Sequence, residues 1–298
     1  PIQLSGALTG VSTGSLTRAT AGDGSGGLIT TGNPLFDSYQ GQPGVNFYLS
    51  ARAADAAKGE YFSNVGMSVV KNTAVADGTD KLTADAYYPL GGKEIYLYGH
   101  TGTVTDNKLT LTSGTGIAND ILLGKGTNTA VKSPNHVTNY TDEVSGSSKD
   151  PVTYMTFRHL MTQVTVKIEV DGAVEDTKPQ SISFKFKDAT TVAGTGTYDI
   201  TGNAVVASEL AGTNYMLTGT TTGITHYLVP TGANLTTLTA GGTNEVFSEL
   251  KIDDYTATLD DRKALKIPQT DKGNDLILSP GLAYTLTFKI NRLKIVGI

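Results

Sequence analysis

The chain has 298 residues, a mass of 31.2 kDa and a formal net charge of −5, from 23 Lys and Arg against 28 Asp and Glu. Because these basic residues are spread along the chain without forming a basic stripe, the charge pattern excludes nucleic acid as a partner. Charged residues make up only 17%, below the usual figure of roughly 25%, whereas about 45 threonines and 35 glycines favour strands and turns.

Cysteine is absent, which excludes disulfides, thiolate metal sites and cysteine nucleophiles. No apolar run reaches 18 residues, so the sequence predicts no membrane-spanning helix. The sequence contains no signal peptide and begins with Pro1 and not with Met, so we expect a trimmed or recombinant mature form from which export cannot be read directly.

The predicted elements are almost all strands. An Ala-rich window at residues 49–58 predicts one short helix, and elsewhere apolar residues alternate with period 2 between Gly, Asn, Asp and Pro. The predicted strands cover residues 66–71, 94–99, 107–112, 164–170, 180–187, 225–230 and 283–290. Because no helices separate these strands, a parallel α/β sheet is excluded and an all-β sandwich is predicted.

A polar stretch at residues 124–151 contains few large aliphatic side chains. A loop of this length is either functional or a linker, and the chain is long enough for two domains. The sequence therefore predicts a domain boundary near residue 148.

No catalytic residue, cofactor site or metal site is predicted. The four histidines are all more than four residues apart, and the sequence has neither a G-x-S-x-G nucleophile elbow nor a phosphate-binding loop. His159 is expected to be a buried or edge histidine whose ring is satisfied by backbone groups. The paired carboxylates at 253–254 and 260–261 are interpreted as solvated turns, because adjacent strand residues point to opposite faces.

Six short stretches then carry a resemblance, and they follow one another from end to end of the chain. They are LTRAT at 16–20, AYYPLGGKEIYLYGHTG at 86–102, NDILLG at 119–124, VTYMTFRHLMTQVTVKIEV at 152–170, HYLVPTG at 226–232 and LSPGLAYTLTFKINRLKI at 278–295. In this order they resemble the fimbrillin family of Bacteroides-type (type V) fimbriae.

The resemblance implies two transthyretin-like antiparallel β-sandwich domains in tandem, at 19–148 and 149–298, in a structural pilus subunit. Family members are exported as lipoprotein precursors to the outer membrane and are trimmed there by an arginine-specific, trypsin-like protease. Trimming removes the first strand and opens a groove, which a strand from another pilin subunit then fills.

In this sequence the cleavage position matches the bond between Arg18 and Ala19. Residues 1–18 would then be the removable strand, in which Ile2, Leu4, Leu8, Val11 and Leu16 supply the apolar side chains. The alternative interpretation of Arg18 is an ordinary exposed loop arginine.

The position of the subunit in the fimbria stays open. Two other classes of function are a binding module and an enzyme. Stalk subunits of the family usually continue to an aromatic-terminated segment, whereas this chain has no Trp and ends at Ile298. Either the sequence is truncated there or the subunit has a shorter end, as a tip subunit would, so stalk, tip and anchor positions stay open. A tip adhesin that binds a host glycan or protein would show exposed aromatic residues with Asp or Asn on one loop rim. No constellation in the sequence supports an enzyme.

Overall fold

The computed structural model describes residues 2–8, 39, 41–54, 59–70, 80–87, 89, 94–126, 153–170, 179–187, 191–202, 204–212, 214–241, 246–263, 265–267, 275–291 and 294–297. These residues are nearly all in strands and the turns between them, which confirms the all-β prediction. Among them no helix is both long and apolar enough to cross a membrane.

Among the described residues, nine strands precede residue 160. They are β1 (Ile2–Leu8), β2 (Phe47–Ala53), β3 (Glu60–Val70), β4 (Asp80–Ala84), β5 (Ile95–Thr101), β6 (Val104–Thr105), β7 (Lys108–Thr112), β8 (Leu122–Gly126) and β9 (Thr153–His159).

Ten further strands follow. They are β10 (Thr162–Val170), β11 (Ser181–Phe186), β12 (Thr195–Asp199), β13 (Ala204–Val205), β14 (Leu217–Thr220), β15 (Ile224–Leu228), β16 (Phe247–Ile252), β17 (Tyr255–Thr256), β18 (Ala283–Asn291) and β19 (Lys294–Gly297). Short helices occur at Ile117–Asn119, Ala207–Glu209 and Leu235–Gly241, which are 3₁₀, and at α1 (Leu259–Lys263).

The strands form three sheets. Seven of them close a barrel in the order β1-β4-β3-β2-β5-β8-β9, and eight form a sheet in the order β17-β16-β11-β14-β10-β18-β19, with β15 also paired to β10. The third sheet, β13-β12-β7-β6, takes two strands from each half of the chain. Most pairs are antiparallel, but β1–β9, β10–β14 and β10–β18 are parallel.

Each predicted strand is found, and the alternation identifies its buried face. Val164, Val166 and Ile168 in β10 are at most 2% exposed, as are Ile182, Phe184 and Phe186 in β11. These side chains belong to the core of the eight-stranded sheet. There the ring centroid of Phe184 lies 5.0 Å from that of Phe247 and 5.0 Å from that of Phe288.

The short helix predicted at residues 49–58 is wrong for its described first part. Residues 49–53 lie in β2, which pairs with β3 on one edge and β5 on the other, and residues 55–58 lie outside the described residues. Alanine is the strongest helix former, but intrinsic propensity is a small term, and two neighbouring strands together with the burial of Leu49 and Ala51 override it.

The predicted boundary near residue 148 falls in residues 127–152, outside the described part of the chain, and the two-domain division stays a prediction. β9, the first described strand after this stretch, pairs with β8 and β1 in the barrel, and β10 is the first strand of the eight-stranded sheet.

Candidate assembly site at the first strand

The first strand occupies a place in the barrel with partners on both edges. β1 pairs antiparallel with β4, with Ile2 opposite Ala84 and Gly6 opposite Asp80, and it pairs parallel with β9, from Leu4 to Leu8. A strand without one of these partners would present a row of unpaired N–H and C=O groups. β1 is therefore the element that closes the barrel between β4 and β9; we call this position the β1 slot.

The walls of the β1 slot are apolar at alternate positions. In β4, Leu82 and Ala84 are at most 2% exposed, and in β9 Met155 and Phe157 are fully buried. In register, Leu82 and Ala84 of β4 lie opposite Leu4 and Ile2 of β1. Met155 and Phe157 of β9 lie opposite Gly6 and Leu8. Every second position of β1 is therefore in register with a buried position of β4 or β9.

On the side of β9 away from β1, two glycines leave room for the side chains of Met155 and Phe157. A Cβ on Gly99 of β5 would lie 2.5 Å from Met155 Sδ and 2.6 Å from Phe157 Cζ. A Cβ on Gly124 of β8 would lie 2.7 Å from Met155 Cγ. The Phe157 ring also meets Phe47 edge to face, with centroids 6.1 Å apart. The wall of the slot is thus fixed from behind by close packing.

A buried polar cluster holds the end of β9. His159 Nδ1 donates to the Asp120 carboxylate at 2.9 Å, and the Tyr39 hydroxyl donates to Asp120 Oδ2 at 2.6 Å. Burial and the neighbouring Asp120 charge raise the pKa of Tyr39, so the phenol stays protonated and keeps donating. Tyr39 is also the first described residue after β1, so this cluster ties the chain that follows β1 to the barrel.

The other described histidines are also structural. His100 Nδ1 donates to the Gly102 carbonyl at 2.9 Å, and its Nε2 accepts from Ser50 Oγ at 2.8 Å. His226 lies between the Tyr215 hydroxyl and the Thr218 carbonyl, at 3.0 and 2.7 Å. For His159 the partner is a carboxylate and not the expected backbone group. Within the described ranges no group of three or more His, Cys, Asp or Glu is placed to hold a metal ion.

The structure brings three of the five predicted strand residues, Ile2, Leu4 and Leu8, into β1. The other two, Val11 and Leu16, and the predicted processing residues Arg18 and Ala19 lie outside the described residues, and their roles stay predictions. The sequence reading missed the slot walls, β4 and β9. The alternation of Met155 and Phe157 was a usable signal for β9, but β4 has only one large aliphatic residue, Leu82.

Comparison with protein families decides what this fold is. A family model described as fimbrillin-like matches residues 17–298. The chain belongs to the fimbrillin-like family. The resemblance drawn from the six sequence stretches is therefore confirmed.

Solved structures share the fold of this fimbrillin-like chain. A candidate cell adhesion protein from Bacteroides uniformis matches with a TM-score of 0.52 and 13% identity, over 84% of this chain and 88% of the other. A candidate cell adhesion protein from Bacteroides ovatus matches with a TM-score of 0.51 and 13% identity, over 99% and 94% of the two chains. No curated protein sequence matches the chain.

Proposed function

We propose that the chain is a structural subunit of a bacterial surface fimbria, which assembles by donor-strand exchange at the β1 slot and supports adhesion. The observation that carries the proposal is the position of β1, paired on both edges at the closure of the barrel and joined to β2 only through residues 9–46. Arg18 lies in that connection, so a single cut after it separates β1 from the rest of the chain.

Cleavage makes exchange possible without forcing it. While β1 is covalently attached, its effective concentration at the slot is high and an incoming strand cannot compete. After the cut between Arg18 and Ala19, the ladder bonds of β1 persist, but a released strand is diluted into solution. A strand from another subunit then replaces it, recovering the ladder bonds with β4 and β9 and filling the same apolar positions.

The incoming strand has to reproduce the pattern of β1, with apolar residues at the positions of Ile2, Leu4 and Leu8 and a small residue at Gly6. Ile95, Leu97 and Gly99 repeat the first part of this spacing in β5, but β5 is paired on both edges inside the barrel. A second such segment, with Leu293, Ile295 and Gly297 at alternate positions, lies near the end of the chain. Its described part, β19, lies at an edge of the eight-stranded sheet with β18 as its partner. We propose this segment as a donor strand.

The remaining features of the proposal rest on the resemblance to the type V fimbrillins. We propose export as a lipoprotein precursor, a place on the outer membrane, an arginine-specific protease as processing partner, and other pilin subunits as assembly partners. The proposal assigns no catalytic role to any residue. A host glycan or protein as ligand of a tip adhesin stays a prediction, as does the choice between stalk and tip.

The test is fibre formation by cells that express the chain with Arg18→Ala. We expect no fibres, because β1 stays attached and blocks the slot. Arg18→Lys is the matched control: it keeps the charge, restores assembly if the protease accepts lysine, and fails if the protease is strictly arginine-specific. Fibre formation by Arg18→Ala at the level of the parent would rule out processing at this residue.

A further inference from the structure

Arginine is used sparingly in this chain, at 5 positions against 18 for lysine. Three arginines, Arg52, Arg158 and Arg262, lie in described strands or helices, and Arg18 and Arg292 lie outside the described residues. In each of the three described arginines, the guanidinium group donates hydrogen bonds to oxygen atoms of the protein.

Arg52 is the most enclosed of them. It lies in β2 between β3 and β5, and its side chain is fully buried. Its Nη1 donates to the carbonyls of Ala51 and Phe62 at 2.9 and 3.1 Å, and its Nε donates to Asn107 Oδ1. A protease pocket could receive this side chain only after β2 had left the middle of the barrel.

Arg262 is held in α1 by backbone carbonyls. Its Nε donates to Phe247 O at 3.1 Å and its Nη1 to Ala257 O at 2.8 Å. The helix start is fixed by reciprocal bonds, because Thr258 N donates to Asp261 Oδ2 and Asp261 N donates to Thr258 Oγ1.

Arg158 is the critical case, because it lies beside the β1 slot. β1 pairs with β9 up to Phe157, so removal of β1 leaves this edge of β9 open one residue before Arg158. Proteases bind extended substrate segments much as an added strand does, and an open edge is such a template. Here Arg158 Nη2 donates to the Tyr198 hydroxyl at 2.6 Å, and the guanidinium lies 5.9 Å from the centroid of the Tyr198 ring.

Several lysine side chains are exposed even where they form ion pairs. The side chain of Lys167 is 42% exposed with Glu169 at 4.0 Å, and that of Lys251 is 46% exposed with Glu249 at 3.3 Å. Lys266 is exposed and lies in an irregular segment next to α1. A lysine-specific protease therefore meets accessible side chains where an arginine-specific one does not.

We propose that the folded chain hides its three described arginines from arginine-specific proteolysis, and that Tyr198 protects Arg158 in the state in which β1 has been removed. Tyr198 lies in β12, in the sheet shared by the two halves of the chain. The inference rests on the proposed function in one respect, since it assumes that an arginine-specific protease cuts the chain after Arg18 and leaves the rest of the chain intact. On this proposal, a protease that opens the slot would leave its wall uncut.

The test maps cleavage of the folded chain by an arginine-specific endopeptidase and, in parallel, by a lysine-specific one, with peptides identified by mass spectrometry. The chain in urea is the reference in which every arginine is cut. We expect no cut after Arg52, Arg158 or Arg262 in the folded chain, and a cut after Lys266 by the lysine-specific enzyme. Any of these three arginine cuts at a rate comparable to that in urea would overturn the inference, and resistance at Lys266 would show that the fold alone, and not the arginine contacts, gives protection.

The same map separates the two proposals. If the chain is cut neither after Arg18 nor after Arg52, Arg158 and Arg262, the processing step of the proposed function is contradicted. The proposal that the three arginines are hidden is then still supported. A cut after Arg18 that is followed by cuts after Arg52, Arg158 or Arg262 supports the processing step and contradicts the proposal that these three arginines are hidden.

Tyr198→Phe tests the protecting residue, because it removes the hydroxyl and keeps the ring. In the chain already cut after Arg18 and freed of residues 1–18, we expect cleavage after Arg158 to rise by about tenfold, the effect of losing a hydrogen bond to a charged group. Tyr215→Phe, which removes a hydroxyl bonded to His226, is the matched control and should leave Arg158 protected. An equal rise after Arg52 and Arg262 would mean general unfolding and would remove the specific role of Tyr198.

Discussion

At the scale of single residues, two buried histidines of this chain are held by specific polar partners, Asp120 for His159 and Ser50 and Gly102 for His100. Asp120 accepts from Tyr39 and His159, and His100 donates to Gly102 while accepting from Ser50. Ser50 Oγ in turn accepts from the Asn64 amide at 3.1 Å. Because an unpaired polar group in the interior is costly, these contacts also decide which protonation states the fold accepts.

We expect His100 to make stability depend on pH. Burial lowers its pKa from 6.5 to about 4. The unfolded chain therefore binds a proton as the pH falls below 6.5 while the folded chain does not, so the stabilisation is complete above 6.5 and is lost progressively down to about 4. The loss is about 3 kcal/mol at most, from about 1.4 kcal/mol for each pKa unit.

The measurement is urea denaturation of the parent and of His100→Gln between pH 4 and 7.5. The difference in unfolding free energy between the two should change with pH in this window. A parent and a variant with parallel pH profiles would contradict the assignment.

At the scale of elements, the strands with clear alternation were predictable from the sequence and their neighbours were not. The face of β10 follows from Val164, Val166 and Ile168 alone, because period 2 is a local signal. The pairing of β1 with β4 and β9 joins residues about 80 and 150 positions apart, and no local pattern encodes it. The helix predicted for the Ala-rich end of β2 is wrong for the same reason, since its strand state depends on β3 and β5.

The glycines behind β9 give a prediction for the slot wall. Gly124→Ala places a Cβ 2.7 Å from Met155 Cγ and 2.9 Å from Phe157, so the wall has to shift. We expect a loss of about 1–3 kcal/mol in unfolding free energy, as for other overpacked cores. Gly66→Ala is the control, because Gly66 lies in β3 with nothing within 4 Å of its Cβ position. Equal denaturation midpoints for the two variants would show that the wall is not closely packed.

At the scale of the whole molecule, the four-stranded sheet joins the two halves of the chain. β7 pairs with β12 over five residues, and Ser113 Oγ donates to Ala193 O and accepts from Val229 N. Buried side chains from both halves, including Leu111 and Tyr198, form one continuous cluster. Family membership and the all-β class could be inferred from the sequence, whereas this shared sheet is a long-range feature that it did not reveal.

The shared cluster predicts that the halves unfold together. Leu111→Ala should lower the unfolding free energy by about 2–5 kcal/mol, and hydrogen exchange should rise in both the barrel and the eight-stranded sheet. Thr110→Ala, at the neighbouring exposed position, should leave exchange in both unchanged. Faster exchange confined to the barrel would mean that the halves are independent.

The most direct test of the account is strand exchange at the β1 slot itself. The chain cut after Arg18, and the uncut chain as its control, are incubated with a labelled synthetic peptide of residues 1–18, or with the same peptide carrying Leu4→Asp. We predict that the cut chain slowly takes up one parental peptide per molecule, while the uncut chain takes up none and the Leu4→Asp peptide is not bound. Equal uptake by cut and uncut chains, or no uptake by a cut chain that remains folded, would contradict assembly by strand exchange at this slot.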